Sequence, residues 1–307
     1  MRTADLYSKV TDTIIKQLEA GVIPWTKPWA IEKKPGIAYV PTNVATGRPY
    51  SGINTLLLWA EAMERGFHSH SWMTFKQAND IGAHVRKGEH GSTVVFTKWT
   101  EKQDEESGET KKKSLLKTYT VFHVEQLERL PEAYQVTVEP PPETEVHNEA
   151  LRLIGKCGVD IQYSGTKAAY YPQRNQVVLP PYSWFESPEE FYGVAFHEVI
   201  HATGHKERLN RNLSTRFGSN AYAFEELIAE LGSAFLCAHA GIPARHRSAS
   251  YVESWLKVMK DDKRAIFQAA SYASQAADWV RKEAAPEIQP ETPRQASERE
   301  MDDAITY

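Results

Sequence analysis

The stretch FHEVIHATGH, residues 196–205, holds two histidines four residues apart, His197 and His201, with Glu198 between them. On an α-helix a four-residue step returns to the same face, so both imidazoles project together. Two imidazoles in that relation bind one zinc ion, and a carboxylate beside the first reaches the metal's water as a general base. Such a short pattern also arises by chance. Here Val194, Ala195, Val199 and Ile200 surround it and give the helix apolar packing. The chemistry indicated is metal-assisted hydrolysis of a peptide carbonyl. Glu198 accepts a proton and returns it to the leaving amine, and a donor such as Tyr222 or His205 stabilises the oxyanion.

A hydrolytic zinc site takes three protein ligands. A histidine six residues beyond His201 would be one solution, but that position is Glu207, and His205 lies past Gly204, where the helix is expected to end. The segment YAFEELIAELGSAFL, residues 222–236, offers Glu226 and Glu230, four apart on one face. Carboxylates on an otherwise apolar helix need a reason to be inward. Glu226 as third ligand supplies one, with Glu230 accepting a hydrogen bond from a ligating imidazole. The reverse assignment satisfies the same spacing. His239 and His246 are further candidates, and two solvent-facing glutamates are the bland alternative. Manganese or cobalt would suit these donors as well as zinc.

The elements that must position these groups follow from patterning. Ser187-Pro188-Glu189-Glu190 reads as a capping box with proline in the first turn, opening the helix that carries the motif. A second helix spans about 222–239, and 250–282 is helical again. A helix over about 147–157 and short strands near 160–163, 168–171 and 176–179 precede them. Upstream, Leu6, Val10, Ile14 and Leu18 recur every four residues in a helix stopped by Gly21. A helix from Leu56 to Arg65 ends at Gly66, and Thr74 is the expected N-cap of a helix near 75–83. STVVFTKW and KTYTVFHV pair as strands, with EKQDEESGETKKK as a solvated hairpin loop. Pro131 and the run Pro140-Pro141-Pro142 mark a linker. The expected fold class is α+β. Its units are a mixed α/β domain over 1–130, a Pro-rich linker over 131–146, an α+β metal-binding domain over 147–284 and a disordered tail over 285–307.

The front part combines aromatic and cationic residues, the ingredients of a single-strand nucleic-acid surface. The candidates are Trp25, Lys27, Trp29, Arg48, Tyr50, Lys76, Arg86 and Lys87, with TGRPYSG and RKGEH as loops whose glycines allow close approach to phosphate. Trp59 and Phe96 read instead as core. Residues 1–100 carry 12 Lys and Arg against 8 Asp and Glu, and residues 131–307 carry 18 against 25. The mildly basic front could face a polyanion or be ordinary surface.

At 41% hydrophobic and 25% charged residues, the 307-residue chain reads as globular, with room for about two domains. No apolar run is long enough for a membrane span, and MRTADLYSKVTD lacks a secretory core, so a cytoplasmic, non-membrane protein is expected. Cys157 and Cys237 fit small buried hydrophobes rather than a disulfide framework.

Several segments together resemble one family. IPWTKPW, PTNVATGRPYSGIN, WMTFKQANDIGAHVRKGEHGSTVVF and VFHVEQ are similar to the N-terminal domain of ArdC-type plasmid anti-restriction proteins, and also to the front of certain plasmid primases. AFHEVIHATGHKERLNR followed by YAFEELIAELGSAFL resembles the matching zincin-like peptidase domain. The resemblance implies a front domain binding single-stranded DNA with little sequence preference. It implies a role in conjugation, shielding incoming plasmid DNA from host restriction, and supports His197, His201 and a glutamate of EELIAE as zinc ligands. The peptidase part is also similar to proteases acting on DNA-bound proteins, which makes a DNA-bound or host protein the candidate substrate. Two other readings stand beside it: protection by DNA occupancy with a structural metal site, and a front domain that docks protein.

Overall fold

The computed structural model describes residues 3–25, 39–103, 110–134, 143–211, 213, 219–244 and 251–285. The i, i+4 apolar stripe forms α1 (Thr3–Glu19). Next come the short strands β1 (Thr42–Asn43) and β2 (Arg48–Pro49), then α2 (Ile53–Arg65), closed by Gly66 in the left-handed conformation. β3 (Ser71–Thr74) leads directly into α3 (Phe75–Asp80). Thr74 caps α3 with a complete capping box to Gln77, as its position predicts. β4 (His84–Val85), β5 (Ser92–Gln103), β6 (Thr110–His123) and β7 (Leu127–Glu128) complete the front part. Its main sheet has the order β2-β1-β3-β6-β5. Of the charged segment expected as loop, residues 101–103 and 110–113 are strand, because the β5–β6 pairing continues to Gln103↔Thr110, and residues 104–109 lie outside the described residues.

At the free edge of β5, the Asn54 side chain accepts from Val95 N–H and donates to Val95 C=O, at 2.7 and 2.8 Å. That satisfies edge groups which would otherwise invite another strand. His123 is fully buried at the end of β6. Its Nε2 meets Ser69 C=O at 3.0 Å and its Nδ1 accepts from the Glu125 amide at 3.2 Å. Both ring nitrogens are thus satisfied in one neutral tautomer, and burial lowers the pKa to about 4.

The second part contains α4 (Glu143–Gly155), β8 (Asp160–Tyr163), β9 (Ala169–Tyr171), β10 (Gln176–Leu179), α5 (Pro188–Thr203), α6 (Asn220–Ala240), α7 (Val252–Asp261) and α8 (Ala265–Glu283). The helix starts at Glu143, within the segment expected as linker. The helix expected over 250–282 breaks between α7 and α8. The small sheet runs β8-β10-β9, leaving β9 at an edge.

The core does not stop at residue 130. Leu6, Val10, Ile14, Leu18, Leu56 and Trp59 join residues of α5, α6 and α8 in one apolar cluster. Tyr7 meets Phe267 edge-on at 4.6 Å, and Thr11 donates to the Lys263 carbonyl at 2.7 Å. The Tyr39 amide donates to the Ala238 carbonyl, and Gly52 N–H to Ser274 Oγ. Both cysteines are buried and unbridged. Among the described residues no helix is long and apolar enough to cross a membrane. The proposed tail, apart from Ala285, lies outside the described residues.

Candidate metal centre and nucleic-acid surface

α5 starts at Pro188, whose missing N–H has no helical partner to lose. Ser187 Oγ accepts from the Glu190 amide at 3.2 Å, while Glu190 Oε2 reaches one residue further back and accepts from Glu186 N–H at 2.8 Å. The helix runs through His201 and is capped at Gly204, as expected. α6 is capped by Ser219, whose Oγ accepts from the Tyr222 amide. The two helices lie close because position 232 is glycine. A Cβ there would stand 2.9 Å from three carbons of Ile200. Ser233 adds a buried hydrogen bond to the Gly193 carbonyl at 2.9 Å.

That crossing brings the predicted donors together. His197 Nε2 and His201 Nε2 lie 3.2 Å apart. The Glu226 carboxylate faces both, with Oε2 at 3.4 Å from the first and Oε1 at 3.5 Å from the second. One ligand atom from each residue falls within 4.8 Å of the other two, and no second such group occurs among the described residues. The opposite ring nitrogens meet other carboxylates. Glu230 Oε2 stands 3.6 Å from His197 Nδ1, and Glu225 Oε1 3.3 Å from His201 Nδ1. Glu226 therefore lies on the Nε2 side and Glu230 on the Nδ1 side. His239 is remote, beside Arg281, and burial lowers its pKa to about 3. His246 lies outside the described residues.

Sequence reasoning missed Glu225 and Arg211. The Arg211 guanidinium, 5% exposed, donates to Glu225 at 2.8 and 3.2 Å, to Thr203 Oγ1 and to the Ile200 carbonyl. It thus joins the carboxylate behind His201 to the open end of α5. The only trace of Glu225 in the sequence is a third carboxylate on an apolar helix. Arg211, in an irregular segment, leaves none.

Electrostatically the cluster calls for positive charge. Burial works against protonated imidazoles, yet the hydrogen bonds to Glu225 and Glu226 outweigh it and raise His201 to about 9. Glu226 and Glu230 likewise hold His197 well above its ordinary value. Burial pushes Glu226 upward, but the two imidazoles hold its carboxyl far below the usual range. Two nitrogens at 3.2 Å need a proton or a cation between them, and three converging N and O donors suit a divalent ion.

Glu198 points to the small sheet, its Oε2 accepting from the Tyr170 amide of β9 at 2.8 Å. The cluster opens into a cleft of about 610 Å³, walled by Ala168, Tyr170, Trp184, Phe185 and Val194. Tyr222 lines the cleft and its hydroxyl lies 3.3 Å from that of Tyr251. Burial and these neighbours raise the Tyr222 pKa, so the hydroxyl keeps its proton. His205 is not in the lining and instead accepts from the Glu207 amide at 3.3 Å.

The predicted nucleic-acid residues divide. Trp25 is fully buried against Trp255, with ring centroids 5.7 Å apart, and has no face for a base. Tyr50 is 9% exposed and packs with Leu58 and Trp72. Burying such large rings stabilises the core more than displaying them. Arg48, Lys76 and Lys87 are exposed, with Lys76 paired to Asp80 at 3.8 Å, and exposed Arg86 pairs with Glu89 at 2.8 Å. Lys27 and Trp29 lie outside the described residues. Trp59 is core as expected, but Phe96 is 47% exposed because it lies beyond the stretch of sheet that α2 covers.

The motif helix, the carboxylate helix and the edge strand define a metallopeptidase-type domain, and residues 148–272 match the zincin-like metallopeptidase family. Residues 4–122 match the N-terminal domain of anti-restriction factor ArdC, and the chain belongs to the ArdC family of antirestriction proteins. The metal-free crystal structure of antirestriction protein ArdC from plasmid R388 superposes with a TM-score of 0.77 and 42% identity, covering 91% of this chain and 98% of that one. The Mn(II)-bound structure of that protein gives 0.75 and 40%, covering 92% and 99%. An uncharacterised protein of Sinorhizobium fredii is 40% identical over 90% of this chain and 91% of its own length. The Escherichia coli DNA primase TraC is 37% identical over 88% of this chain, which spans only 19% of that protein.

Proposed function

We propose that this chain is a single-stranded-DNA-binding antirestriction protein that protects incoming conjugative plasmid DNA and carries a metal-dependent peptidase site. The observation that carries the enzymatic part is the convergence of His197, His201 and Glu226 beside a separately held Glu198. A structural metal site has no use for a general base. His197, His201 and Glu226 hold the ion, which is zinc in this reading, with manganese or cobalt able to replace it. The Mn(II) bound by the R388 protein supports a divalent ion here.

A bound divalent ion supplies Lewis acidity that brings water's pKa toward ~7 and polarises a carbonyl. The chain's own groups do the rest. The Tyr170 amide fixes one Glu198 oxygen and leaves the other to take the water's proton and return it to the leaving amine. In this reading Tyr222, which lines the cleft as His205 does not, donates to the developing oxyanion. Glu230 and Glu225 orient the two imidazoles from behind. The substrate in this reading is a DNA-bound or host protein.

The test is Glu198→Gln. Bound metal and DNA affinity should stay unchanged while metal-dependent cleavage of a denatured protein substrate disappears. If antirestriction in a conjugation assay persists in that variant, protection comes from DNA occupancy. If wild-type protein loaded with zinc or manganese cleaves nothing, the peptidase reading fails.

A further inference from the structure

β3 pairs with β6 only at residues 121–123, while β5 and β6 remain paired from Ser92↔Val121 to Gln103↔Thr110 without a bulge. From position 120 outward the hairpin is therefore a two-stranded arm. α2 covers its root, where Val94 and Val121 are buried. In such a ladder, alternate positions and their direct partners share a face. Positions 96, 98, 100 and 102 share one with 117, 115, 113 and 111. They read Phe, Lys, Thr, Lys and Lys, Leu, Lys, Lys.

Tyr119, opposite Val94, extends that face toward the root. Phe96 and Tyr119 are 47% and 49% exposed, with centroids 5.3 Å apart at 86°, and Lys117 between them is exposed. Lys98, Lys102, Lys111, Lys113 and Lys117 thus occupy one face of the paired strands, and no acidic residue does. Glu101 falls on the other face. Asp104, Glu105, Glu106 and Glu109 belong to the connecting segment outside the described residues.

We infer that this lysine-lined face of the β5–β6 arm, with Phe96 and Tyr119 at its root, is the surface that tracks single-stranded nucleic acid. The inference rests on the DNA-binding reading above and says where the strand lies. Lysines at two- and four-residue steps along a strand, about 7 and 14 Å apart, form a cationic track for a phosphate backbone. Exposed rings stack on unpaired bases whatever their identity. An acidic protein or a duplex would use the lysines and leave the rings idle. The face also differs from the sites that composition suggested, since two of those aromatics are core.

The experiment is fluorescence anisotropy of the full chain with labelled oligothymidine and with a duplex of equal length, over a salt series. Substituting all five lysines (K98Q, K102Q, K111Q, K113Q and K117Q) should weaken oligothymidine binding at least about tenfold at low salt. It should also flatten the slope of log affinity against log salt by about 3.5, near 0.7 per lost phosphate contact. The double charge reversal Lys111→Glu with Lys113→Glu should act in the same direction if the fivefold variant folds poorly by circular dichroism. Phe96→Ala with Tyr119→Ala should lower oligothymidine affinity about tenfold or more at an unchanged slope and spare the duplex. Wild-type binding left intact in both lysine variants overturns this inference alone. An aromatic variant that binds oligothymidine normally, or loses duplex equally, overturns the single-strand assignment. Wild-type protein that binds no oligothymidine at low salt overturns the DNA-binding reading and this inference together.

Discussion

The histidine–glutamate cluster and the front sheet were built from equally suggestive residues, yet the sequence foretold the convergence of one far better than the burial in the other. At the centre, His197, Glu198 and His201 share one helix, and Glu226 and Glu230 share the next. Helical periodicity fixes the relative direction of each set, so one crossing of two helices assembles the site. In the front sheet the aromatics come from separate helices, strands and loops. Which rings are buried depends on how far α2 covers the sheet and where α1 leaves it. Trp25 and Tyr50 went inward, and Phe75, Phe96 and Tyr119 remain 55%, 47% and 49% exposed. A local period predicts contact within or between regular helices. Choosing among rings scattered through a sheet needs the packing itself.

The largest expected effect separates the two regions outright. Glu226→Ala should abolish stoichiometric divalent metal binding, measured by elemental analysis after dialysis, and leave oligothymidine affinity unchanged. Loss of DNA binding in that variant would show that the regions act as one unit, in line with their shared core.

Acid should weaken the front sheet through one buried imidazole, as it does the second part through His239. His123 is buried and neutral with a pKa lowered to about 4 from the ordinary 6.5. The unfolded chain therefore binds the extra proton between those values. Stability is full above about pH 6.5 and falls as pH drops toward 4, by as much as about 3 kcal/mol from this group. Thermal melts over that range, compared with His123→Gln, would measure it, and an equally steep acid loss in the variant would sink the assignment.

Two smaller effects probe the helix crossing. Gly232→Ala drives a Cβ into Ile200 and should destabilise the protein by about 2 kcal/mol in denaturant titration, with weakened metal binding as α5 and α6 part. Glu225→Gln removes the charge behind His201 and should lower divalent affinity about tenfold, read by chelator competition. An unchanged affinity would mean that Arg211 and Glu225 serve packing rather than the orientation of the imidazole.

The sequence by itself determined the motif helix, its cap and stop, the Glu226–Glu230 face, the strand pairs and the family resemblance, since periodicity, capping chemistry and local spacing act within a few residues. Tertiary structure alone decided that Glu226 takes the Nε2 side and Glu230 the Nδ1 side, because both fit the spacing and only the crossing at Gly232 orients α6. It alone brought in Arg211 and Glu225, joined across 14 positions of chain, and the Tyr170 amide on Glu198, joined across 28. It also joined α1 to α7 and α8 across the expected domain boundary and carried the β5–β6 pairing into both ends of a segment that reads as loop. Each of these is a long-range contact, whose partner is chosen by how elements pack after they form.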